Sequence, residues 1–138
     1  VAVDGRVMTV HSLHTGVPHA VILTDNIEGE DVVGLGRAIR FHKDFSPQGT
    51  NVDWLEIISP HKAKVRTYER GVEGETLACG TGIVASTVCG ALLGKLTSPV
   101  EIIARSGDTL SVRFSSDLEE IFFEGSTFVA FHGSWIGR

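Results

Sequence analysis

The sequence predicts an α+β domain made of many short strands, one surface helix and one helix buried on most sides. Three observations predict it. Apolar residues alternate with polar ones in short segments at 17–24, 51–58 and 63–69, the period of a strand. Residues 31–42 place Val32, Leu35 and Ile39 on one helical face, with Arg37, Arg40 and Lys43 off it. From Ile83 to Leu93 the chain is apolar or small nearly all round, and a helix without a polar face must be covered on most sides.

The elements follow in order. Residues 1–10 alternate loosely around Asp4-Gly5, a hairpin signal. Val17-Pro-His-Ala-Val-Ile-Leu-Thr reads as a second or third strand. Asp31 is placed to cap the helix that follows, because its carboxylate can accept from a free N–H of the first turn. Ser46-Pro-Gln-Gly-Thr is a loop. Two strands come next, at 51–58 and 63–69, and then a Gly-rich loop from Arg70 to about Gly82. The buried helix runs from there to about Leu93, where Gly94 stops it. The tail, residues 99–132, gives several short strands broken at Ser106-Gly-Asp and Glu124-Gly-Ser. No linker, repeat or low-complexity segment interrupts the 138 residues, so one domain is expected over 1–138.

Composition narrows the function. Charged residues are 21% and hydrophobic ones 42%, as in ordinary globular proteins. The net charge of -5 disfavours nucleic acid or an anionic membrane as partner. The longest apolar run is interrupted by Ser86, Thr87 and Gly90 and is too short to span a bilayer. Two cysteines are too few for a disulfide framework, and neither a C-x-x-C pair nor an H-E-x-x-H pattern announces a metal. These features read as a cytoplasmic, reduced, metal-free protein. The chain opens in Val-Ala-Val-Asp-Gly with no Met and no signal peptide, which points to an upstream segment.

Chemistry concentrates between Val65 and Gly82. Cys79 precedes Gly80-Thr81-Gly82 and the apolar helix, so it sits at a helix N-terminus. Free N–H groups and the positive dipole end there lower a thiol pKa and hold a carboxylate. Glycines at 80 and 82 let a ligand approach the backbone. A buried inert thiol is the competing reading. It suits Cys89, inside the helix, whereas the small neighbours of Cys79 favour a reactive thiol. Glu69 and Arg70 read equally well as a solvated ion pair and as a substrate clamp, since Arg takes a carboxylate in two parallel bonds. His19 by default is structural, and Asn51 a turn or cap residue.

Arg66-Thr-Tyr-Glu-Arg-Gly followed by Glu75-Thr-Leu-Ala-Cys-Gly-Thr-Gly resembles the second catalytic motif of diaminopimelate epimerases. Val17-Pro-His-Ala-Val, Gly49-Thr-Asn-Val-Asp-Trp and Phe128-Val-Ala-Phe-His-Gly fall in the same family order. The resemblance covers essentially the whole chain and the C-terminal half of the family's length. It implies a mixed or antiparallel sheet curled around the central helix. It also implies an epimerase without pyridoxal phosphate or any other cofactor, interconverting LL- and meso-diaminopimelate on the route to lysine and peptidoglycan. Two cysteines flank the α-carbon in that family. By resemblance Cys79 is one of them, with His19 and Glu69 near the thiols. Gly80 and Thr81 would hold the reacting α-carboxylate through their N–H groups. Arg70 would take the distal carboxylate, with Asn51 and Glu69 on the distal amino-acid end. The sequence departs from the family pattern at Val17, where Asn is usual, and in Glu73-Gly74, which lengthens the turn between Arg70 and Cys79.

Inversion needs groups on both faces of one carbon. Cys89 lies ten residues beyond Cys79, about 15 Å along a helix, so it cannot be the partner. The second cysteine is expected from an N-terminal half that is absent here, and the chain alone is expected to be inactive. An apolar face for that half, or for a second copy in a homodimer, is expected to be exposed. Three other readings remain. They are a cysteine nucleophile with His19 as base, a related racemase acting on proline or a phenazine precursor, and a binding domain with an inert Cys79.

Overall fold

The computed structural model describes residues 1–3 and 5–137. A small antiparallel ladder opens the chain, with β1 (Ala2–Val3) against β2 (Arg6–Val7). The expected hairpin is therefore present, although Asp4 of its turn signal lies outside the described residues. Gly5 has φ +77°, which a glycine adopts without strain.

All other strands join one eight-stranded sheet. They are β3 (His11–His14), β4 (Pro18–Leu23), β5 (Asn51–Ser59), β6 (Lys62–Glu69), β7 (Gly74–Thr76), β8 (Val100–Ile103), β9 (Thr109–Phe114) and β10 (Ile121–Glu124). The order is β10-β9-β8-β6-β5-β4-β3, with β7 pairing β6 off that path. Two pairs are parallel, β4 with β5 and β6 with β8. A parallel pair needs a crossover, and each crossover here contains one of the two helices, α1 (Val32–Arg40) or α2 (Gly80–Leu92).

The helices cover opposite faces of the sheet. α1 is amphipathic, as its sequence predicts, and Asp31 accepts a 2.9 Å bond from the Gly34 N–H to cap it. Its buried face, Val32, Leu35 and Ile39, meets Ala20, Ile22, Val52, Trp54 and Tyr68. α2 packs on the other face, where Val21, Leu55, Ala63, Val65, Val100, Ile102 and Val112 surround Ile83, Ala85 and Cys89. Each fully buried aliphatic side chain there contributes roughly 2 kcal/mol of transfer free energy. The sheet curls round α2. Thr15, after β3, donates to the Thr81 carbonyl at 3.1 Å, while Phe123 of β10, at the other end of the sheet, lies beside Gly80. The α+β class and the central buried helix expected from the sequence are both present.

Two local expectations need correction, and one strand forms where none was expected. The Gly-rich loop is not all loop, because Gly74–Thr76 pairs with β6, opposite Glu69 to Thr67. β3 has no clear sequence signal and forms by pairing with β4. The tail gives β8 to β10 as expected but no strand beyond Gly125. Residues 125–137 have no regular structure, and Phe128, Phe131, Trp135 and Ile136 stand exposed. The start of this segment lies against β9, where Gly125 meets Leu110, but it joins none of the described ladders.

Candidate active site

The first turn of α2 lies against the ends of β4, β5 and β6, and the expected site residues gather there. α2 starts at Gly80 with Cys79 as its cap residue, and no side chain caps it. No acidic residue stands in its first turn. The Gly80 and Thr81 N–H groups therefore face outward without helical partners, as the first N–H groups of any helix do. Gly80 and Thr81 are exposed, and Cys79 is nearly buried.

The face of the sheet beneath this turn is polar, unlike the apolar layer that continues along α2. His19, Asp53 and Thr67 project there from three neighbouring strands, Asp53 directly opposite Thr67 in the β5–β6 ladder. His19 and Asp53 are fully buried and Thr67 nearly so. Burying a carboxylate costs several kcal/mol unless its oxygens are satisfied, and here both are. Oδ2 lies 2.7 Å from His19 Nδ1, and Oδ1 accepts from the Thr67 hydroxyl at 2.7 Å. The other ring nitrogen of His19, Nε2, lies 3.1 Å from Thr81 Oγ1, which in turn lies 3.5 Å from Cys79 Sγ. A continuous chain thus runs Thr67, Asp53, His19, Thr81, Cys79. Gly82 makes room for it. A Cβ at this position would collide with Asp53 Oδ1 and sit 3.1 Å from Thr67 Oγ1.

The electrostatics of Cys79 correct the sequence-based expectation. The helix start alone predicts a lowered thiol pKa. Burial instead pushes it up, and the nearby carboxylates of Asp53 and Glu69 add to that. The Thr81 hydroxyl and the Gly82 N–H pull it down, and the net shift is upward. The raised pKa favours the thiol form of Cys79. Burial alone pushes Cys89, in the last full turn of the same helix, up to about 11.

Asn51, at the start of β5, and Glu69 and Arg70, at the end of β6, lie at the same end of the sheet. Asn51 is nearly buried, and its amide is engaged by backbone. Nδ2 donates to the Pro18 carbonyl at 3.0 Å, and Oδ1 accepts from the Arg70 N–H at 2.8 Å. In this structure Asn51 ties the His19 strand to the Arg70 turn. The Arg70 guanidinium has no carboxylate partner among the described residues, and its one polar contact is a long 3.5 Å approach to the Gln48 carbonyl. Glu69 is half-buried at the end of β6.

The longer turn after Arg70 is held by Glu73, whose carboxylate accepts from the Gly71 N–H at 3.0 Å and from Arg40 Nε at 3.1 Å. Those partners, the Gly71 N–H first, hold the Glu73 carboxyl below its usual value. Arg66 fixes β7 through two bonds to Glu75, at 2.6 and 2.9 Å.

Sequence reasoning missed Asp53 and the Thr67 and Thr81 hydroxyls. The available signal was a lone acid in an otherwise buried strand, Asn51-Val-Asp-Trp-Leu. Direct contact between Cys79 and a histidine, which a nucleophilic pair needs, is replaced here by Thr81 between them.

Known proteins were then compared with the chain. Residues 11–126 match the protein family described as Diaminopimelate epimerase. A diaminopimelate epimerase of Aquifex aeolicus (strain VF5) is 48% identical over 132 residues, 95% of this chain and 47% of that protein. One from Chlorobaculum tepidum is 45% identical over 125 residues, 90% of this chain and 49% of that protein. Among solved structures, a PhzF-family phenazine biosynthesis protein of Bacillus anthracis superposes with a TM-score of 0.54 at 13% identity, over 84% of this chain and 38% of that one. Its counterpart from Enterococcus faecalis gives 0.53 at 14%, over 72% and 34%. At those identities the likeness is one of fold alone. The chain spans about half the length of the curated relatives it matches, and on the match over residues 11–126 it belongs to the diaminopimelate epimerase family.

Proposed function

We propose that this chain is the C-terminal catalytic half of a cytoplasmic, cofactor-independent epimerase interconverting LL- and meso-diaminopimelate, with Cys79 as one of two acid–base groups. The observation that carries the reading is a thiol set at an uncapped helix N-terminus. A carboxylate held on the Gly80 and Thr81 N–H groups would bring its α-carbon to Cys79. When the α C–H bond breaks, the proton goes to a thiolate, and the electron pair delocalises into that carboxylate. N–H groups aimed at it stabilise the charge as it develops. A thiol on the opposite face then returns a proton, which inverts the centre with no redox change. Cys79 at rest, with its raised pKa, suits the donating thiol. In the reverse direction it must first lose its proton.

Arg70, free of a carboxylate partner among the described residues, would take the distal carboxylate in a bidentate pair. Glu69 would face the distal ammonium and also lies close enough to Cys79 to oppose its ionisation. Asn51 would contribute through its remaining lone pair and its second amide hydrogen, while holding Arg70 in place.

The second thiol cannot be Cys89, given the 15 Å or so of helix between the two cysteines. It would come from an N-terminal half packed over the exposed start of α2. The exposed apolar side chains of β10 and the tail support such a covering surface. On this reading the chain by itself does not epimerise. The test is α-proton exchange of LL-diaminopimelate in deuterated water, followed by NMR, on the full-length protein and on its Cys79→Ala variant. Exchange with inversion, lost in the variant, is expected. No exchange in the full-length protein would move the chain to a binding role with a relic motif.

A further inference from the structure

We propose that Arg40 is a positioning residue for the substrate clamp: it holds the Glu73 carboxylate away from Arg70, so that the Arg70 guanidinium stays open to a carboxylate of the substrate. The proposal rests on Arg70 being that clamp and adds what keeps it open.

The turn after Arg70 creates the need. Glu73-Gly74 lengthens it and puts a carboxylate three residues from the guanidinium. An arginine and a carboxylate so close in one turn would ordinarily pair. Arg70 makes no such pair among the described residues, and its one polar contact is with the Gln48 carbonyl. Glu69, the adjacent acid, lies toward Cys79. Glu73 is engaged elsewhere. Its Oε1 accepts from the Gly71 N–H at 3.0 Å and from Arg40 Nε at 3.1 Å, and lies 3.0 Å from Arg40 Nη2. Its Oε2 accepts from the hydroxyl of the buried Tyr68 at 3.3 Å. Glu73 reaches these partners with φ +58°, a left-handed backbone that a residue with a side chain adopts at a cost. The next residue, Gly74, would adopt it freely, so the turn is shaped around the partners of the carboxylate.

Of those partners only Arg40 carries charge, and it is fixed from several sides. It closes α1, whose buried stripe seats that helix on the sheet face opposite α2. Its guanidinium lies over the Phe41 ring, 4.5 Å from the centroid. Nη1 donates to the Gln48 carbonyl at 3.2 Å, the same oxygen that Arg70 Nη1 approaches at 3.5 Å. Gly49, at φ +68°, leaves the room for this, because a Cβ there would collide with Arg40 Nη1 and with the Arg40 carbonyl. Two guanidiniums therefore flank one carbonyl. Glu73 matches the charge of Arg40, and no described carboxylate matches that of Arg70. A pair as exposed as Arg40 and Glu73 adds little stability. What it decides is which cation remains for a ligand.

Without the Arg40 charge, Glu73 keeps a bare carboxylate beside Arg70. That carboxylate draws the guanidinium to itself and repels an incoming carboxylate. Both effects weaken binding and leave the groups at the start of α2 alone. Removing the Glu73 charge as well should therefore restore the clamp. A merely structural Arg40 predicts the opposite, since a second lost contact loosens the turn further.

The experiment compares Arg40→Met, Glu73→Gln and the double variant in the full-length protein with two readouts. One is the rate at which phenylglyoxal modifies Arg70, followed by peptide mass spectrometry with Arg113 as internal control. The other is KM and kcat for LL-diaminopimelate from α-proton exchange. Phenylglyoxal attacks a free guanidinium faster than one paired with a carboxylate. Arg40→Met should slow Arg70 modification and raise KM by about tenfold each, the size of one charged hydrogen bond gained or lost, and lower kcat less. The double variant should return both readouts to within about twofold of Glu73→Gln alone, since an exposed pair contributes little else.

Arg70 modified at the wild-type rate in Arg40→Met, or a double variant no better than Arg40→Met, overturns the proposal. If Arg40→Met does not fold, Arg40→Gln, which keeps an N–H donor and loses the charge, carries the same expectations. Phenylglyoxal needs no substrate, so this proposal and the epimerase reading fail separately. The expected modification pattern in a protein that exchanges no α-proton would keep the role of Arg40 at Arg70 and remove the epimerase. Exchange with unmoved Arg70 rates would do the reverse.

Discussion

The two ends of α2 hold the same residue in different company. Cys89, near the C-terminal end, belongs to the apolar cluster that includes Val21, Leu55, Ala63, Val100 and Ile102, and burial alone raises its pKa to about 11. Cys79, at the N-terminal end, is also buried. It has a hydroxyl, a backbone N–H and two carboxylates around it, and its pKa rises despite the partners that pull it down. Burial silences a thiol, and only polar partners reaching through the burial make it chemically addressable. The sheet supplies them. The same face that gives aliphatic residues to Cys89 gives His19, Asp53 and Thr67 beneath the first turn.

The sharpest way to break this contrast is to remove each thiol in turn. Cys79→Ala in the full-length protein should lower kcat/KM by about 10²–10⁴-fold, the usual contribution of a positioned acid–base group. Cys89→Ala should leave kcat unchanged and cost on the order of 1 kcal/mol of stability, through a lost buried sulfur. Equal kinetic losses in the two variants would erase the distinction between the ends.

A second prediction concerns the space beneath the first turn. Gly82→Ala drives a methyl into Asp53 Oδ1. Overpacking of this kind typically costs 1–3 kcal/mol, roughly, and displaces the carboxylate from His19. Thermal unfolding should show a fall of several degrees. Gly90→Ala, near the other end, meets only the Leu96 side chain and should lower Tm without touching Cys79.

pH separates the thiols further. Both folded-state pKa values are raised, so each thiol stays protonated past the ordinary cysteine range and ionises as pH climbs. Cys79 should alkylate faster than Cys89 at every pH between 7 and 10, because its partners and its place at the helix start favour the thiolate. A Cys89 that reacts first would contradict the burial argument.

The smallest effect belongs to the Arg70 turn. Glu73 has a lowered folded pKa, so the stability it adds is present above its unfolded value and lost as pH falls through the folded one. Glu73→Gln should cost less than about 1 kcal/mol, since the pair with Arg40 is partly exposed. It should raise KM for a substrate carrying a distal carboxylate more than it lowers kcat.

Much of this architecture is legible in the sequence where the cause is local. The Asp31 cap, the stripe of α1, the all-apolar α2 and its stop at Gly94 are each written in a few consecutive residues, and so is the placing of Cys79 at a helix start. What failed to show depends on partners distant in sequence. β5 is covered on both faces, so its alternation hides which residues meet α2 and disguises Asp53 as an ordinary strand residue. β3 and β7 exist only because β4 and β6 offer edges. The last residues of the tail carry apolar side chains but pair with no described strand. The direction of the Cys79 shift was misjudged for the same reason. The helix end is visible in the sequence, while the burial of the thiol, and after it the approach of Asp53 and Glu69, arise only through the fold. No helix among the described residues is long and apolar enough to cross a membrane.

The central claim is that Cys79 is one of two groups acting on opposite faces of one carbon. Isotope placement during the first turnovers tests it most directly. The full-length protein would be given LL-diaminopimelate in deuterated water, and the recovered substrate and the meso product analysed separately at low conversion. Two groups on two faces predict deuterium at the inverted α-carbon of the product and almost none in the recovered substrate, with the product signal lost in Cys79→Ala. Product that keeps its original hydrogen, or labelling that persists unchanged without Cys79, would contradict the account.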